Sequence, residues 1–402
     1  MKKLILLLSF LFSANCIHAQ WSIVTTPTTD PFTCVAVPGR DTAYAVTTIF
    51  GNGGKIFATK NGTTWNQQSS NNSYLLTVFF RNTMLGWAGG GILPNGIILK
   101  TTDGGASWNT VNTTVKQIYS ICFTNDTIGY AIGNDATAGT YHLYKSTDGG
   151  INWTQTQTGF DYLRSIWFSS DSIGYCAGDN GRIFKTINAG NSWSLLNTGV
   201  VFHFNDQCFV SDSIGWSNGQ YVNGKCYKTT DAGTTWAPLA NPSNTVMTSV
   251  SFTDINNGWQ AGDSGRIYHT TNGGSSWTAQ PTNTIGNLAS IRMYDNSNGF
   301  AVGYIPSVGG LILRYESSAV TLNETALPTL TAWPNPAHDH LFLEIPAAEI
   351  LPYELIDLQG RKLNKGILSE TTASIDISNL IPGIYFIQFL SGSRESIRFI
   401  KD

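Results

Sequence analysis

A phrase of eight residues recurs along much of this chain and limits what the chain can fold into. Each full copy has a Ser or Thr, an Asp or Asn two residues later, and a closing Trp, and the copies span 101–108, 146–153, 186–193, 229–236 and 270–277. A shorter copy spans 59–65, and successive Trp residues lie 43, 45, 40, 43 and 41 residues apart. A fixed period of this length indicates one supersecondary unit copied into a stack or a ring.

The chemistry of the phrase predicts a folded turn between two strands. The short Asp or Asn side chain can accept hydrogen bonds from N–H groups of its own turn, and the Gly two residues later can adopt positive φ. The Trp then starts a strand and carries a large apolar ring into the core. Six near-copies favour a repeated hairpin over six metal or sugar sites. The residues to which we assign this structural role are Asn61, Asp103, Asp148, Asn188, Asp231, Asn272, Trp65, Trp108, Trp153, Trp193, Trp236 and Trp277.

A second phrase, Gly followed by an aromatic residue, precedes each turn. It occurs at 86–87, 129–130, 174–175, 215–216, 258–259 and 299–300, and Ala43-Tyr44 is a divergent first copy. Apolar residues alternate in the segment before it, as in Val78 and Phe80, and a period of two indicates a strand. Four strands in each of seven units predict an all-β chain whose main domain is a seven-bladed β-propeller.

The two ends of the repeat region predict how the ring closes. The last unit lacks the turn and its Trp, whereas Trp21 lies 44 residues before Trp65, in register with the other copies. We therefore predict that residues 21–24 supply the missing strand of the last blade. This pairing would remove two exposed sheet edges.

The first residues predict a separate function, export. Lys2 and Lys3 precede an apolar run at 4–12, which is typical of a secretory signal peptide and too short for a membrane span.

We predict a signal peptide at 1–20, the propeller at 21–318, a linker at 319–327 and a C-terminal domain at 328–402. Short alternating segments at 341–345, 353–357, 373–377, 384–390 and 396–400 predict that this last domain is a small β-sandwich. We find no other stretch that could cross a bilayer as a helix.

Charge and ligand-forming residues argue against several function classes. Residues 21–318 contain 15 Lys and Arg against 16 Asp and Glu. They therefore lack the excess of positive charge that is typical of nucleic-acid-binding proteins. There is no Cys-x-x-Cys pair, and the His residues lack metal-ligand spacing, so we predict neither a metal nor a cofactor. The recurring Cys34, Cys122 and Cys208 are predicted to be small buried residues.

The turns match the Asp-box pattern, which occurs in sialidases, xyloglucan-cleaving hydrolases and sortilin-like receptors. Together with the Gly-aromatic phrase and the period, residues 21–318 most resemble the photosystem II stability/assembly factor family. This resemblance implies the propeller fold. It does not imply photosynthesis, because bacteria without photosystems carry similar propellers.

The C-terminal segment, 328–402, resembles the type A sorting domain of the type IX secretion system of Bacteroidetes. The matching segments are Trp-Pro-Asn-Pro at 333–336, the strand and turn at 353–361, the segment 380–387 and the last strand, which ends in Lys401. The resemblance implies that the type IX machinery is a partner of this domain. It also implies that the protein passes through the periplasm and is then secreted or attached to the outer cell surface.

Acidic residues bear on whether the propeller is an enzyme. Glycosidases generally use two carboxylates that flank the scissile bond, yet Glu316 is the only Glu between residues 21 and 318. Most Asp residues belong to the boxes or to the breaks between the first and second strands, whereas Asp161 and Asp206 are freer. We therefore predict no catalytic residues. A carbohydrate-active enzyme, sialidase-like or another glycoside hydrolase, is the alternative, and a structural role in an assembly at the outer membrane is a third.

A binding site is predicted where the loops that enter the innermost strands meet the central channel. Alignment of the first strands brings Tyr119, Arg164, Asn205 and Thr248 to one position near this mouth. The predicted ligand-binding residues are Tyr119, Arg164, Trp167, His203, Asp206 and Arg292. They would bind a glycan or a surface protein, and ordinary channel lining is the alternative interpretation.

Overall fold

The computed structural model describes residues 20–49, 53–93, 95–111, 115–134, 140–196, 198–199, 203–220, 225–240, 246–317, 330, 332–344, 351–357, 361–369, 372–389 and 397–402. The predicted linker and nearly all of the predicted signal peptide lie outside these residues. The chain divides into two compact units, Met1–Ala319 and Val320–Asp402.

The described part of the first unit consists of β-strands and two short 3-10 turns. In chain order the strands are β1 (Gln20–Val24), β2 (Phe32–Gly39), β3 (Thr42–Thr47), β4 (Gly54–Thr59), β5 (Asn66–Asn71), β6 (Leu75–Phe80), β7 (Gly86–Ile92), β8 (Asn95–Thr101), β9 (Asn109–Thr110), β10 (Gln117–Phe123), β11 (Gly129–Asn134), β12 (Thr140–Ser146), β13 (Thr154–Asp161), β14 (Leu163–Phe168), β15 (Gly174–Gly178), β16 (Ile183–Thr186), β17 (Ser194–Leu196), β18 (His203–Phe209), β19 (Gly215–Gln220), β20 (Cys226–Thr229), β21 (Ala237–Pro238), β22 (Met247–Phe252), β23 (Gly258–Gly262), β24 (Ile267–Thr270), β25 (Thr278–Gln280), β26 (Asn287–Asp295), β27 (Asn298–Ile305) and β28 (Gly309–Glu316). The 3-10 turns, Asp179–Gly181 and Asp263–Gly265, follow β15 and β23.

These strands form seven four-stranded sheets within the described residues, and we number the sheets as blades 1 to 7. Blades 1 to 6 each take four consecutive strands, from β2–β5 to β22–β25, and blade 7 has the order β1-β28-β27-β26. The first strands contact one another in a closed ring, from β2 through β6, β10, β14, β18 and β22 to β26 and back to β2. The chain is therefore a β-propeller, as predicted, and its first strands surround a central channel.

The ring is closed by the strand that contains Trp21. In the antiparallel pair of β1 and β28, Trp21 stands opposite Tyr315 and Ile23 opposite Leu313. Trp21 is fully buried, and its ring centroid lies 5.1 Å from that of Tyr315. This is the pairing that the position of Trp21 in the repeat predicts.

The Gly-aromatic phrase packs each blade against the next. Trp87 of blade 2 stacks on Phe123, which ends the first strand of blade 3, and Phe123 meets the ring of Trp153 edge-on. Gly129, opposite Phe123 in the sheet, makes room for this ring, because a Cβ at that position would lie 2.4 Å from it. The same trio recurs as Tyr44–Phe80–Trp108, Tyr130–Phe168–Trp193, Tyr175–Phe209–Trp236 and Trp216–Phe252–Trp277.

The second unit contains two further sheets that share one hydrophobic cluster. Its strands are β29 (Ala332–Trp333), β30 (His340–Glu344), β31 (Leu351–Asp357), β32 (Lys362–Leu368), β33 (Thr372–Asp376), β34 (Gly383–Phe389) and β35 (Ile397–Lys401). Strands β29-β30-β33 form one sheet and β32-β31-β34-β35 the other. The sequence prediction missed β32, because this edge strand exposes nearly every residue and has no alternation of apolar side chains.

Candidate functional site

Each Asp box is held together by a small network within its own turn. In the copy at 101–108, the Thr101 hydroxyl donates to Asp103 Oδ1 at 2.8 Å and accepts a hydrogen bond from the N–H of Gly105. Asp103 Oδ1 in turn accepts the N–H of Ser107 at 2.9 Å. Gly105 needs its positive φ of 83°, because the chain reverses there. The other full copies repeat these bonds with Asp148, Asn188, Asp231 or Asn272 as the central acceptor.

Hydrogen bonding sets the charge state of the acidic boxes. Bonds from the side chain and backbone of Ser107 lower the pKa of Asp103 to about 2. The pKa of Asp148 is also lowered to about 2, chiefly by the backbone N–H of Asn152, and that of Asp231 is lowered by Thr235. These carboxylates are ionised at neutral pH and already satisfied by their own turns, so they are poorly suited to proton transfer.

Each of the five full boxes also accepts a hydrogen bond from the preceding blade. The carbonyl oxygen of Ala189, next to Asn188, accepts one from the Tyr130 hydroxyl and one from Lys145 Nζ. The carbonyl oxygens of Gly104 and Gly273 accept equivalent pairs from Tyr44 with Lys60 and from Trp216 with Lys228. The sequence analysis missed these lysines, although a Lys directly before the box recurs at 100, 145, 185 and 228. The boxes therefore join neighbouring blades as well as folding their own turns.

The Trp residues of the boxes are buried to different degrees. Trp65, Trp153 and Trp236 are buried, and Trp153 and Trp236 donate their indole N–H to the carbonyls of Gly150 and Gly233. The remaining three, Trp108, Trp193 and Trp277, are partly buried against the same clusters.

The central channel contains a ring of β-bulges. In every first strand the pairing register with the second strand shifts around one residue. These seven bulge residues are Thr33, Leu76, Tyr119, Arg164, Asn205, Thr248 and Ala289, and all of them line one cavity of about 170 Å³ in the channel. A bulge re-aims a side chain away from the regular pleat, so both the bulge residue and its successor face the channel.

The residues that follow the bulges bind one blade to the next. Ser120 Oγ accepts the N–H of Ile166, and Ser249 and Ser290 make equivalent bonds to the following blade. Asp206 occupies this position in blade 5 and accepts the N–H of Val250 at 3.1 Å. This ring is therefore part of the channel wall.

Asp206 also forms an ion pair with Arg292. Arg292 Nη1 lies 2.8 Å from Asp206 Oδ2, and Nη2 lies 3.1 Å from Oδ1. Burial opposes the charge on Arg292, but the attraction and hydrogen bonds of Asp206 outweigh it and raise the pKa of the guanidinium. Asp206, which the sequence analysis placed among the freer carboxylates, is thus held by Arg292, Ser249 and a backbone N–H.

Arg164 and His203 meet at Asp179, a residue that sequence reasoning missed. Arg164 Nε lies 2.6 Å from Asp179 Oδ1, and His203 Nδ1 lies 2.9 Å from the same oxygen. Asp179 opens the 3-10 turn after β15, whereas His203 opens the first strand of the next blade. Asp179 lies outside the first strands, and its contact with His203 crosses to the next blade, so an alignment of the first strands does not identify it.

The channel brings most of the predicted ligand-binding residues together. Tyr119, Arg164, Trp167, Asp206 and Arg292 all line the cavity, and His203 adjoins it through Asp179. Trp167 is partly buried against two apolar clusters, one between blades 4 and 5 and one between blades 5 and 6. Among the described residues no group of three or more His, Cys, Asp or Glu side chains could hold a metal ion.

Hydrogen bonding divides the bulge ring into two halves. The hydroxyls of Thr33 and Thr248 are bound to backbone carbonyl oxygens, which leaves them little capacity for a ligand. In contrast, within the described residues the Tyr119 hydroxyl, the Asn205 amide and Arg164 Nη1 make no hydrogen bond. Polar groups without a protein partner therefore concentrate in blades 3 to 5.

Two family matches cover parts of the chain. Residues 331–401 match the secretion system C-terminal sorting domain, and residues 186–284 match the photosynthesis system II assembly factor YCF48. The first match indicates export by type IX secretion to the cell surface or beyond. In the described part of the chain we find no helix with the length and apolar composition needed to span a bilayer.

Solved structures with the same fold include both binding proteins and enzymes. YCF48 bound to D1 peptide has a TM-score of 0.60 and 20% identity, over 75% of this chain and 98% of that chain. The GH74 xyloglucanase from Xanthomonas campestris has a TM-score of 0.60 and 11% identity, over 95% of this chain and 68% of that chain. At these identities the likeness shows the fold alone. Among the curated proteins, no sequence matches.

Proposed function

We propose that this exported β-propeller is a binding protein whose ligand, a glycan or a protein, docks at the channel mouth of blades 3 to 5. The observation that carries the proposal is the uneven bulge ring. Tyr119, Arg164 and Asn205 present hydrogen-bonding groups without a partner in the described residues, whereas Thr33 and Thr248 are satisfied by the backbone. Ligand sites typically combine a concave surface with a few such convergent polar groups.

The alternative, a glycoside hydrolase, needs two carboxylates that are available for acid, base or nucleophile roles. Asp206 lines the cavity and Asp179 adjoins it, and each is tied to an arginine, at 2.8 Å and 2.6 Å respectively. The arginines occupy the carboxylate oxygens of Asp179 and Asp206, which are therefore not free to face a scissile bond. The carboxylate of Asp263, which opens the equivalent 3-10 turn of blade 6, has no arginine partner among the described residues, and burial raises its pKa, so it is a single candidate acid without a second free carboxylate beside it. We therefore favour binding over hydrolysis.

The test is a binding screen of the purified full-length protein against a glycan array and against proteins extracted from the cell surface. Arg164→Ala and Asn205→Ala should each weaken the retained ligand about ten-fold or more, equivalent to about 1.4 kcal/mol. Arg266→Ala is the matched control, because Arg266 is exposed and lies outside the bulge ring.

Hydrolysis is tested in parallel by incubation of the wild-type protein with xyloglucan and with a sialoside. Release of reducing sugar or sialic acid that is lost in Asp206→Asn would establish the enzymatic alternative. Unchanged binding in Arg164→Ala and Asn205→Ala would contradict the proposed site.

A further inference from the structure

Three tyrosines form an aromatic path from the surface to the channel mouth, next to the polar groups just described. Tyr162 is 49% exposed, and its ring centroid lies 5.8 Å from that of Tyr141. Tyr141 is buried, and its centroid lies 5.7 Å from that of Tyr119, the bulge residue of blade 3. The path thus joins an exposed ring to one that lines the cavity.

Tyr162 is held in a backbone conformation that tyrosine rarely adopts. Its φ is 41°, in the left-handed region, where a residue with a Cβ is disfavoured. The equivalent residues before β6 and β22, Tyr74 and Val246, do not have positive φ. The carbonyl of Tyr162 accepts the N–H of Asp179 at 3.0 Å, so the loop that presents this ring is fixed to the loop that carries the ion pair. An exposed aromatic residue in a disfavoured conformation is a reason to look for function.

The charges beside the tyrosines nearly cancel. Arg164 and Asp179 form an ion pair, with His203 on the same carboxylate oxygen. An anionic ligand would be attracted by Arg164 but repelled by Asp179. A cationic ligand would be attracted by Asp179 but repelled by Arg164. Burial, followed by the effect of Tyr119, raises the pKa of Tyr141 to about 12, which keeps this phenol neutral as well. The site is therefore suited to a neutral ligand.

We infer that the ligand is a neutral oligosaccharide, an inference that rests on the proposed binding function. One sugar ring of the oligosaccharide packs on Tyr162, and hydroxyls of the oligosaccharide bind Tyr119, Arg164 and Asn205. The C–H groups of a pyranose can pack against the electron-rich face of an aromatic ring. Each sugar hydroxyl both donates and accepts. Arg164 Nη1 supplies a donor only, whereas the Asn205 amide and the Tyr119 hydroxyl supply both a donor and an acceptor.

A protein ligand fits these features less well. Peptides gain affinity by adding a strand to an open sheet edge, but the strands around the mouth are the innermost ones, each packed between neighbouring first strands of the ring. A saccharide that packs on the exposed ring of Tyr162 beside partnerless polar groups needs no backbone pairing. The saccharide interpretation uses both features together.

The experiment is affinity electrophoresis of the purified full-length protein in gels that contain xyloglucan, galactomannan or laminarin, with acidic polygalacturonate as the contrast. We expect at least one neutral polysaccharide to retard the protein, and polygalacturonate to retard it less. Tyr162→Ala should weaken the interaction ten-fold or more, and Tyr162→Phe should retain it. Tyr294→Ala is the matched control, since Tyr294 is 48% exposed and lies near the far end of β26.

Tyr162→Gly separates binding from folding. Gly adopts positive φ without a steric cost, so this variant should lose retardation while its melting temperature stays at or above that of the wild type. Unchanged retardation in Tyr162→Ala, or stronger retardation by polygalacturonate, would overturn the inference. If no polysaccharide binds but a surface protein is retained through Arg164, the saccharide inference fails and the binding function stands. If neither a polysaccharide nor a surface protein is retained through Arg164, both the saccharide inference and the proposed binding function fail.

Discussion

The hydroxyl of Tyr130 in blade 3 donates a 2.8 Å hydrogen bond to the carbonyl oxygen of Ala189 in the Asp box of blade 4. Lys145 Nζ donates to the same oxygen at 2.7 Å. The repeat motif of one blade is thus an acceptor for its neighbour, and the aromatic residue of the Gly-aromatic phrase is the donor. The two recurring phrases, which look independent in the sequence, form one contact between blades.

Removal of the Tyr130 hydroxyl tests this contact. Tyr130→Phe keeps the ring stacked on Phe168 but deletes the donor, and we expect a loss of about 1 kcal/mol in the free energy of unfolding. Urea denaturation followed by tryptophan fluorescence measures it. Tyr294→Phe, at an exposed tyrosine, should change the stability by much less. Equal effects of the two substitutions would mean that the bond to Ala189 contributes nothing.

The same box contains a residue with a strained backbone conformation, and a substitution by Gly should relieve this strain. Ala189 has φ of 55°, where three other full copies of the box have Gly, at 104, 149 and 273, and the fourth has Ala232 with φ of 58°. A left-handed conformation costs a residue with a Cβ roughly 1 kcal/mol or more, so Ala189→Gly should raise the free energy of unfolding by about 1 kcal/mol. Ala279→Gly, in the exposed strand β25 with no positive φ, should lower it. A destabilised Ala189→Gly variant would contradict the strain.

The fold of the repeat region could be predicted from the sequence because the period of the repeat gives the size and order of its structural units. The spacing of the Trp residues predicted the propeller, and the position of Trp21 predicted the strand that completes the last blade. The missed strand β32 shows the limit: its residues are mostly exposed, so no apolar pattern marks it. Patterns of burial reveal strands only where one face is buried.

The channel was predicted less completely than the fold. Alignment of the repeats located Tyr119 and Arg164 near the mouth, but it could not show that both are bulge residues or that Asp179 pairs with Arg164. It placed Asp206 and Arg292 in one neighbourhood but did not predict the ion pair between them across blades 5 and 7. Bulges and contacts between blades depend on three-dimensional register, which a single repeat does not encode. Ligand binding by these residues stays a prediction.

The acidic boxes predict a specific pH dependence. Because the pKa of Asp103 is lowered to about 2 from 3.8 in the folded protein, its bonds stabilise the fold above about pH 4. This contribution is lost as the pH falls through 2. In Asp103→Asn, which copies the natural Asn188 box, stability should depend less on pH between 4 and 2, as measured by urea unfolding at each pH.

The reciprocal substitution is the control for this pH dependence. Asn188→Asp should gain a pH-dependent contribution with the same sign, because Asn188 already accepts the N–H of Ser192 at 3.0 Å. Identical pH profiles for the wild type, Asp103→Asn and Asn188→Asp would show that the boxes do not titrate with lowered pKa values.

The ion pair in the channel predicts a compensated double substitution. Asp206→Ser introduces the residue type that blades 3 and 6 have at the equivalent position, Ser120 and Ser249. It leaves the mostly buried Arg292 without its counter-ion. Removal of one partner of a buried pair costs about 3 kcal/mol or more. Asp206→Ser with Arg292→Met should recover most of this loss in urea denaturation. A double variant as unstable as Asp206→Ser alone would contradict the pairing.

Closure of the ring should depend on Trp21 far more than on its neighbours in the same strand. Trp21 is fully buried against Tyr315 and Trp259, whereas Ile23, two residues later, is 53% exposed. Truncation of a large buried aromatic residue costs about 3–5 kcal/mol, so Trp21→Ala should lower the melting temperature strongly and expose β28 as an open edge. Ile23→Ala should change it little. Hydrogen exchange should show the loss of protection concentrated in β28 in Trp21→Ala, and an unchanged β28 would mean that the first strand is not what holds blade 7 closed.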